Sequence, residues 1–198
     1  MKEERFPPLH IELPSWIEDV VPPEEYRFDS DEEKMRLALE LARQNIRRET
    51  GGPFGAAIFD AVTGRLIAPG VNVVVPAHWS GGHAEMVAFG MAQQRLGIHD
   101  LGAPGMHACE IFSSTEPCAM CMGATAWTGV HRLVAAARGE DAEAIGFDEG
   151  PKPPGWVEAL EERGIAVLRD LLRAEGQAVL REYQERGGVL YNGGAGAQ

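Results

Sequence analysis

The stretch Ser113-Ser114-Thr115-Glu116-Pro117-Cys118-Ala119-Met120-Cys121 leaves this chain few choices of fold. It reads as the end of a buried strand, a short turn and the start of a helix, with two cysteines one helical turn apart. Pro117 suits the first helical position, where a missing N–H costs nothing and φ is already set. Cys118 and Cys121 then stand at i and i+3 on one face of the first turn. Free backbone N–H groups and the helix dipole favour thiolates there, and the thiolate is the form that binds metal. Two thiolates alone do not hold zinc, so another part of the chain must bring further ligands to the same strand end.

The rest of the pattern supplies a frame for that meeting. Ser30 with Glu33 is a capping-box signal, and Met35, Ala38, Leu39, Ala42 and Ile46 follow at helical spacing until Gly51-Gly52. Phe54 to Asp60 is a β-rich apolar run, and Thr63-Gly64 turns it into an antiparallel partner over Arg65–Val75. A second helix, apolar nearly all round, runs from about His83 to Leu96. Strands over Cys109–Ser113, Val130–Ala137 and Ile165–Leu168 alternate with helices over Pro117–Trp127, Trp156–Arg163 and Asp170–Arg186. A hairpin followed by strand–helix alternation predicts a five-stranded mixed sheet with helices on both faces, a three-layer α/β/α sandwich. The domain is expected over residues 31–186, behind a Pro-rich arm (1–30) and before a tail (187–198). Leu9, Ile11, Leu13, Trp16, Ile17, Val20 and Val21 favour an arm lying on the domain over a disordered one.

His83-Ala84-Glu85 opens the second helix as the cysteines open the third. Successive right-handed β-α-β units set such helices side by side, with their N-termini at the carboxyl ends of the strands. His83, Cys118 and Cys121 then make three protein ligands, the number that leaves a fourth zinc position open for catalysis. Residues two apart on a regular helix point about 200° away from each other. His83 must therefore stand partly outside the helix if Glu85 is also to face the metal. Zinc brings the pKa of its water from 15.7 to about 7, and a carboxylate that is not a ligand can carry protons beside it. Together the pieces match H-x-E…P-C-x-x-C, the signature of zinc deaminases. Cys109, inside an apolar strand, reads as a core residue, and His10, His78, His99, His107 and His131 have no motif around them.

Charge narrows the partners. A net charge of −12 opposes the Lys- and Arg-rich surface that nucleic acid requires and favours a small neutral substrate. Three cysteines, two of them in C-x-x-C, indicate metal or redox chemistry in a reducing compartment rather than a disulfide framework. The N-terminus lacks a continuous apolar run, so neither a signal peptide nor a membrane span is read and a cytoplasmic protein is expected.

Beyond the zinc signature lie Gly51-Gly52-Pro53-Phe54-Gly55-Ala56, Asn72 and Asp141-Ala142-Glu143-Ala144-Ile145-Gly146-Phe147-Asp148-Glu149. With these pieces the chain, from about residue 31 to the last helix, resembles the bacterial guanine deaminases of the cytidine deaminase superfamily. The resemblance implies a cytidine deaminase-like fold and one catalytic Zn2+ per chain. Glu85 becomes the main proton carrier, and Glu149 becomes a carboxylate that meets the amino and N1–H edge of the purine and shuttles protons in a second step. It implies base contacts from Asn72, Phe54, His83, Ala84 and Trp127. It also implies a homodimer whose C-terminal segments cross over, with Tyr191 or its neighbours closing the partner's site. Related aminated rings (aminotriazine, pterin, cytosine-type bases), adenosine in tRNA, or zinc-stabilised binding without turnover are the alternatives. Two features depart from the family: the arm lies outside the resemblance, and Thr115 stands where Cys is frequent.

Overall fold

The computed structural model describes Phe6 and residues 9–193. The expected arm (1–30) and tail (187–198) lie partly outside them, at residues 1–5, 7, 8 and 194–198. In chain order the elements are α1 (Ile17–Val20), α2 (Asp31–Arg47), β1 (Gly55–Asp60), β2 (Leu66–Val71), α3 (Ala84–Leu96) and β3 (Cys109–Thr115). There follow α4 (Ala119–Thr128), β4 (Arg132–Ala137), α5 (Gly139–Glu143), α6 (Trp156–Glu161), β5 (Ala166–Leu168) and α7 (Arg173–Glu185).

The sheet order is β2-β1-β3-β4-β5. β1 runs antiparallel to both β2 and β3, while β3–β4 and β4–β5 are parallel. Alternation along β3 splits the core in two. Phe59 and Phe112 face α2 and α7 with Met35, Leu39 and Leu180, whereas Ile58, Ile111 and Leu133 face α3 and α6 with Ala88, Phe89 and Leu160. Each such side chain, fully removed from water, contributes about 1.5–3 kcal/mol. The three-layer sandwich with five mixed strands is therefore the architecture, and α3 and α4 both point their N-termini at the carboxyl ends of the parallel strands.

Several boundaries differ from the sequence expectation. Ser30 caps α2 by accepting from Glu33 N–H at 3.2 Å, and Glu33 reaches back to Asp29 N–H at 2.9 Å. The last helix, however, begins at Arg173 rather than Asp170, because Asp170 (φ 68°) and Leu172 (φ 58°) are left-handed. Within the described part of the arm, Trp16 and Ile17 are buried, and Trp16 Nε1 donates to Thr50 Oγ1 at 3.0 Å. After the Pro151–Pro154 segment the chain returns to its own sheet, since β5 pairs with β4 in the register Leu133↔Val167.

Candidate active site

The same local device builds both halves of the site. His83 is the N-cap of α3 with extended backbone (φ −69°, ψ 152°), and Cys118 is the N-cap of α4 (φ −65°, ψ 174°). An N-cap side chain folds back over the first turn, close to the residues two and three positions on. His83 and Glu85 thus share one side despite their spacing, and so do Cys118 and Cys121. Pro117 corrects the expectation: it precedes the N-cap and Ala119 opens the helix, because the extended backbone at Cys118 starts the first turn two residues later.

His83 Nδ1 lies 3.5 Å from Cys118 Sγ and 3.6 Å from Cys121 Sγ, and the three donor atoms lie within 4.8 Å of one another. A tetrahedral zinc with ordinary Zn–S and Zn–N lengths separates such donors by about 3.6 Å, so this nitrogen and two sulfurs fit the ion. The Cys118 thiol is drawn down to about 4 by its hydrogen bond from Cys121 and then by His83, which leaves it a thiolate at neutral pH. Cys121, the donating partner, is pushed up correspondingly.

Glu85 is buried beside this group. Its Oε2 lies 3.5 Å from Cys121 Sγ, and its Oε1 accepts from Ser113 Oγ at 3.4 Å. Burial pushes its carboxyl above the ordinary range. Glu149 arrives from the segment after α5, fixed by Ala119 N–H donating to its backbone carbonyl at 2.9 Å. Burial raises the Glu149 carboxyl to about 8 against the pull of the Lys152 ammonium. Both carboxylates line one cleft of about 250 Å³ together with His83, Cys118, Phe54 and Phe147. A larger hollow of about 370 Å³ near Ile46, Thr50 and Arg186 holds no comparable cluster, so chemistry rather than size picks the site.

Asn72 sits behind Phe54 and Val74. Its Oδ1 accepts from Gly52 N–H at 3.4 Å and Val74 N–H at 3.3 Å, which fixes the amide orientation and leaves Nδ2 buried without a partner. Among the described residues, Tyr191 Oη is the other buried side-chain atom without one. The two flank Gly52, where a Cβ would come within 2.1 Å of the Tyr191 hydroxyl. Unpaired buried donors are costly unless a ligand completes them.

The aromatic expectations divide. Phe54 meets Phe147 edge-on at 4.9 Å, and Phe147 meets Tyr191 at 5.1 Å. Ala84, fully buried, belongs to the core behind the site. Trp127 is 82% exposed in the last turn of α4 and is not brought to its own chain's cleft. The first and last turns of a ten-residue helix lie too far apart for Cys118 and Trp127 to share a ring. Sequence reasoning missed Phe147 as a lining residue and Lys152 altogether. Phe147 sat within the quoted Gly146–Glu149 run, whereas a lone lysine among prolines carried no signal.

With this geometry in place, known proteins supply a context. The family model for the cytidine and deoxycytidylate deaminase zinc-binding region matches residues 28–137. A guanine deaminase of Bacillus subtilis (strain 168) is 36% identical over 115 residues, 58% of this chain and 69% of that protein. A solved guanine deaminase from Nitrosomonas europaea is 48% identical, covers 90% of this chain and 97% of its own, and superposes with a TM-score of 0.85. A solved structure in complex with 2,6-diaminopurine is 49% identical over 93% of this chain and 97% of its own, with a TM-score of 0.86. The matched residues 28–137 contain all three zinc-compatible ligands and Glu85, and by that match the chain belongs to the cytidine and deoxycytidylate deaminase family of zinc-dependent deaminases.

Proposed function

We propose that this enzyme hydrolyses guanine to xanthine and ammonia, with zinc held by His83, Cys118 and Cys121. The observation that carries the reading is that Glu85 and Glu149 line one cleft with His83 and Cys118 of the His83–Cys118–Cys121 group; the buried, unpaired Asn72 Nδ2 adds a donor for a ligand to complete. Zinc in such a site supplies Lewis acidity that makes water nucleophilic near neutral pH. Glu85 takes the proton that water loses as its oxygen adds to C2 of the base. It passes that proton to the ring nitrogen beside C2. The proton still on the added oxygen is then carried to the amine, the C2–N bond breaks as C2=O forms, and guanine and water end as xanthine and ammonia. Glu149 accepts from the amino and N1–H donors, because a carboxylate offers two acceptors to two adjacent donors. It also serves as the proton carrier of a second step. Asn72 Nδ2 donates to an acceptor on the base, and Phe54 and His83 pack against the ring. Likeness to two guanine deaminases supports this base over related aminated rings. The charge of −12 opposes tRNA.

The reading extends to one catalytic domain over 31–186, an arm and a tail. It also includes a cytoplasmic location, in keeping with the free thiols of Cys109, Cys118 and Cys121. No helix among the described residues is long and apolar enough to cross a membrane. A homodimer is part of the reading, with exposed Trp127 and Met120 on α4 as the surface it covers. Tyr191 lines its own chain's cleft, so C-terminal exchange is not needed to close it. The test is ammonia release from guanine, cytosine, adenosine, tRNA and aminotriazines by zinc-loaded protein. Guanine is expected to turn over fastest, and inert guanine beside another reactive ring overturns the substrate but not the chemistry.

A further inference from the structure

We propose that Lys152 is a positioning residue for Glu149, clamping its carboxylate to the turn that carries the metal-binding cysteines. Lys152 is set between Pro151 and Pro153, yet its side chain is only 12% exposed. Its Nζ donates to the Pro117 carbonyl at 3.0 Å and lies 3.5 Å from Glu149 Oε2 and 3.8 Å from Glu116 Oε2. An ammonium has three donors and no acceptor; two of them meet the Pro117 carbonyl and Glu149, and Glu116 adds a nearby counter-charge, all from the two segments that meet at the cleft. Burying such a charge is costly unless it is paired, so the site is built around the lysine rather than tolerant of it.

The surroundings hold the clamp in place. Glu116 is held on Oε1 by Arg169 Nε at 2.5 Å, and on Oε2, the oxygen nearest Lys152, by Gly139 N–H at 3.1 Å. Nζ lies 5.3 Å above the ring of the buried Trp156. Gly139 is there for space: a Cβ would stand 2.8 Å from Lys152 Nζ and 3.3 Å from Glu149 Oε2. Ala119 N–H and Lys152 Nζ thus tie the 149–152 segment to the 116–119 turn at two points. Lys152 takes one lone pair of Oε2, which leaves Oε1 and the second lone pair of Oε2 for the two donors on the base. This role rests on the reading of Glu149 as the residue that receives the donor edge of guanine.

The experiment is a double-mutant cycle in the zinc-loaded full chain, with kcat, KM and zinc content measured for Lys152→Met, Glu149→Gln and the pair. Lys152→Met is expected to retain full zinc, to lose about 10- to 100-fold in kcat/KM, and to add nothing further in the Glu149→Gln background. Equal losses in both backgrounds, or an unchanged kcat/KM in Lys152→Met, overturn the proposal. An unimpaired Glu149→Gln overturns the reading of Glu149 and this proposal with it, a result distinct from the other two. If Lys152→Met loses zinc, Lys152→Gln, whose amide can still donate to the Pro117 carbonyl, is taken through the same cycle under the same criteria.

Discussion

Strand β3 has buried carboxylates around both of its ends, and the protein treats them in opposite ways. At the amino end Glu110 receives Lys34 Nζ at 2.6 Å on one oxygen and Arg132 at 3.2 Å on the other. Arg132 also grips Asp31 through both of its terminal nitrogens. Two cations and two anions therefore close on each other, with Lys34 Nζ 5.7 Å from the ring centres of Phe59 and Phe112. At the carboxyl end Glu116 is paired with Arg169, but Glu85 and Glu149 are buried to the same degree, and Cys118 adds a thiolate. Among the described residues no lysine or arginine pairs with Glu85, and Glu149 has only the longer contact with Lys152. A buried charge neutralised within the chain holds elements in register. One left unbalanced requires a cation from outside and is free to move protons.

This contrast breaks most visibly if the two carboxylates are exchanged for amides. Glu85→Gln is expected to lower kcat for guanine by about 10³- to 10⁴-fold, with zinc content and unfolding midpoint held. Retained turnover would mean that Glu85 is not the main proton carrier. Glu110→Gln is expected to do the reverse. It leaves the Lys34 ammonium buried without its counter-ion, at a cost of about 3–5 kcal/mol in urea unfolding, while kcat of the folded fraction stays unchanged. A loss under about 1 kcal/mol, the size of an exposed pair, would place the amino-end network among incidental contacts.

The sequence was informative wherever a property is local. The zinc-compatible ligands lie in the first turns of two helices, so the C-x-x-C spacing, the H-x-E…P-C-x-x-C signature and the handedness of β-α-β units together brought His83, Cys118 and Cys121 to one edge. The strands appeared as apolar β-rich runs for the same reason. The amino-end network was not legible, because Asp31, Lys34, Glu110 and Arg132 come from three distant elements and each looks like an ordinary surface charge. Trp127, a contact implied by the resemblance alone, is exposed in the last turn of α4 and outside its own chain's cleft. The start of α7 was misplaced because left-handed backbone at Asp170 and Leu172 leaves no mark in residue type. Asp170 is instead held by Arg138 Nε at 2.8 Å, a contact 32 residues away in sequence.

A third set of charges, on the rim of the carboxyl end, sharpens the comparison at its smallest scale. Asp141 in the first turn of α5 accepts from Arg138 N–H at 2.8 Å, Arg173 Nε at 2.9 Å and Gln177 Nε2 at 2.9 Å, joining α5 to α7. The Arg173 hydrogen bond, foremost, holds its carboxyl down from 3.8 to about 2. A folded-state pKa below the unfolded value stabilises the protein above about pH 4, and that stabilisation is lost as pH falls through about 2. Arg173 is partly open to solvent, so screening reduces the contribution to about 1 kcal/mol. Asp141→Asn should therefore lower stability at neutral pH by about that amount and flatten the acid side of the stability profile, with zinc retained. Unfolding in urea at about pH 7 and about pH 3 measures both effects. An acid dependence identical to that of the parent chain would show that the rim pair adds nothing, leaving the closed network at Glu110 as the ionic contribution that stabilises the sheet.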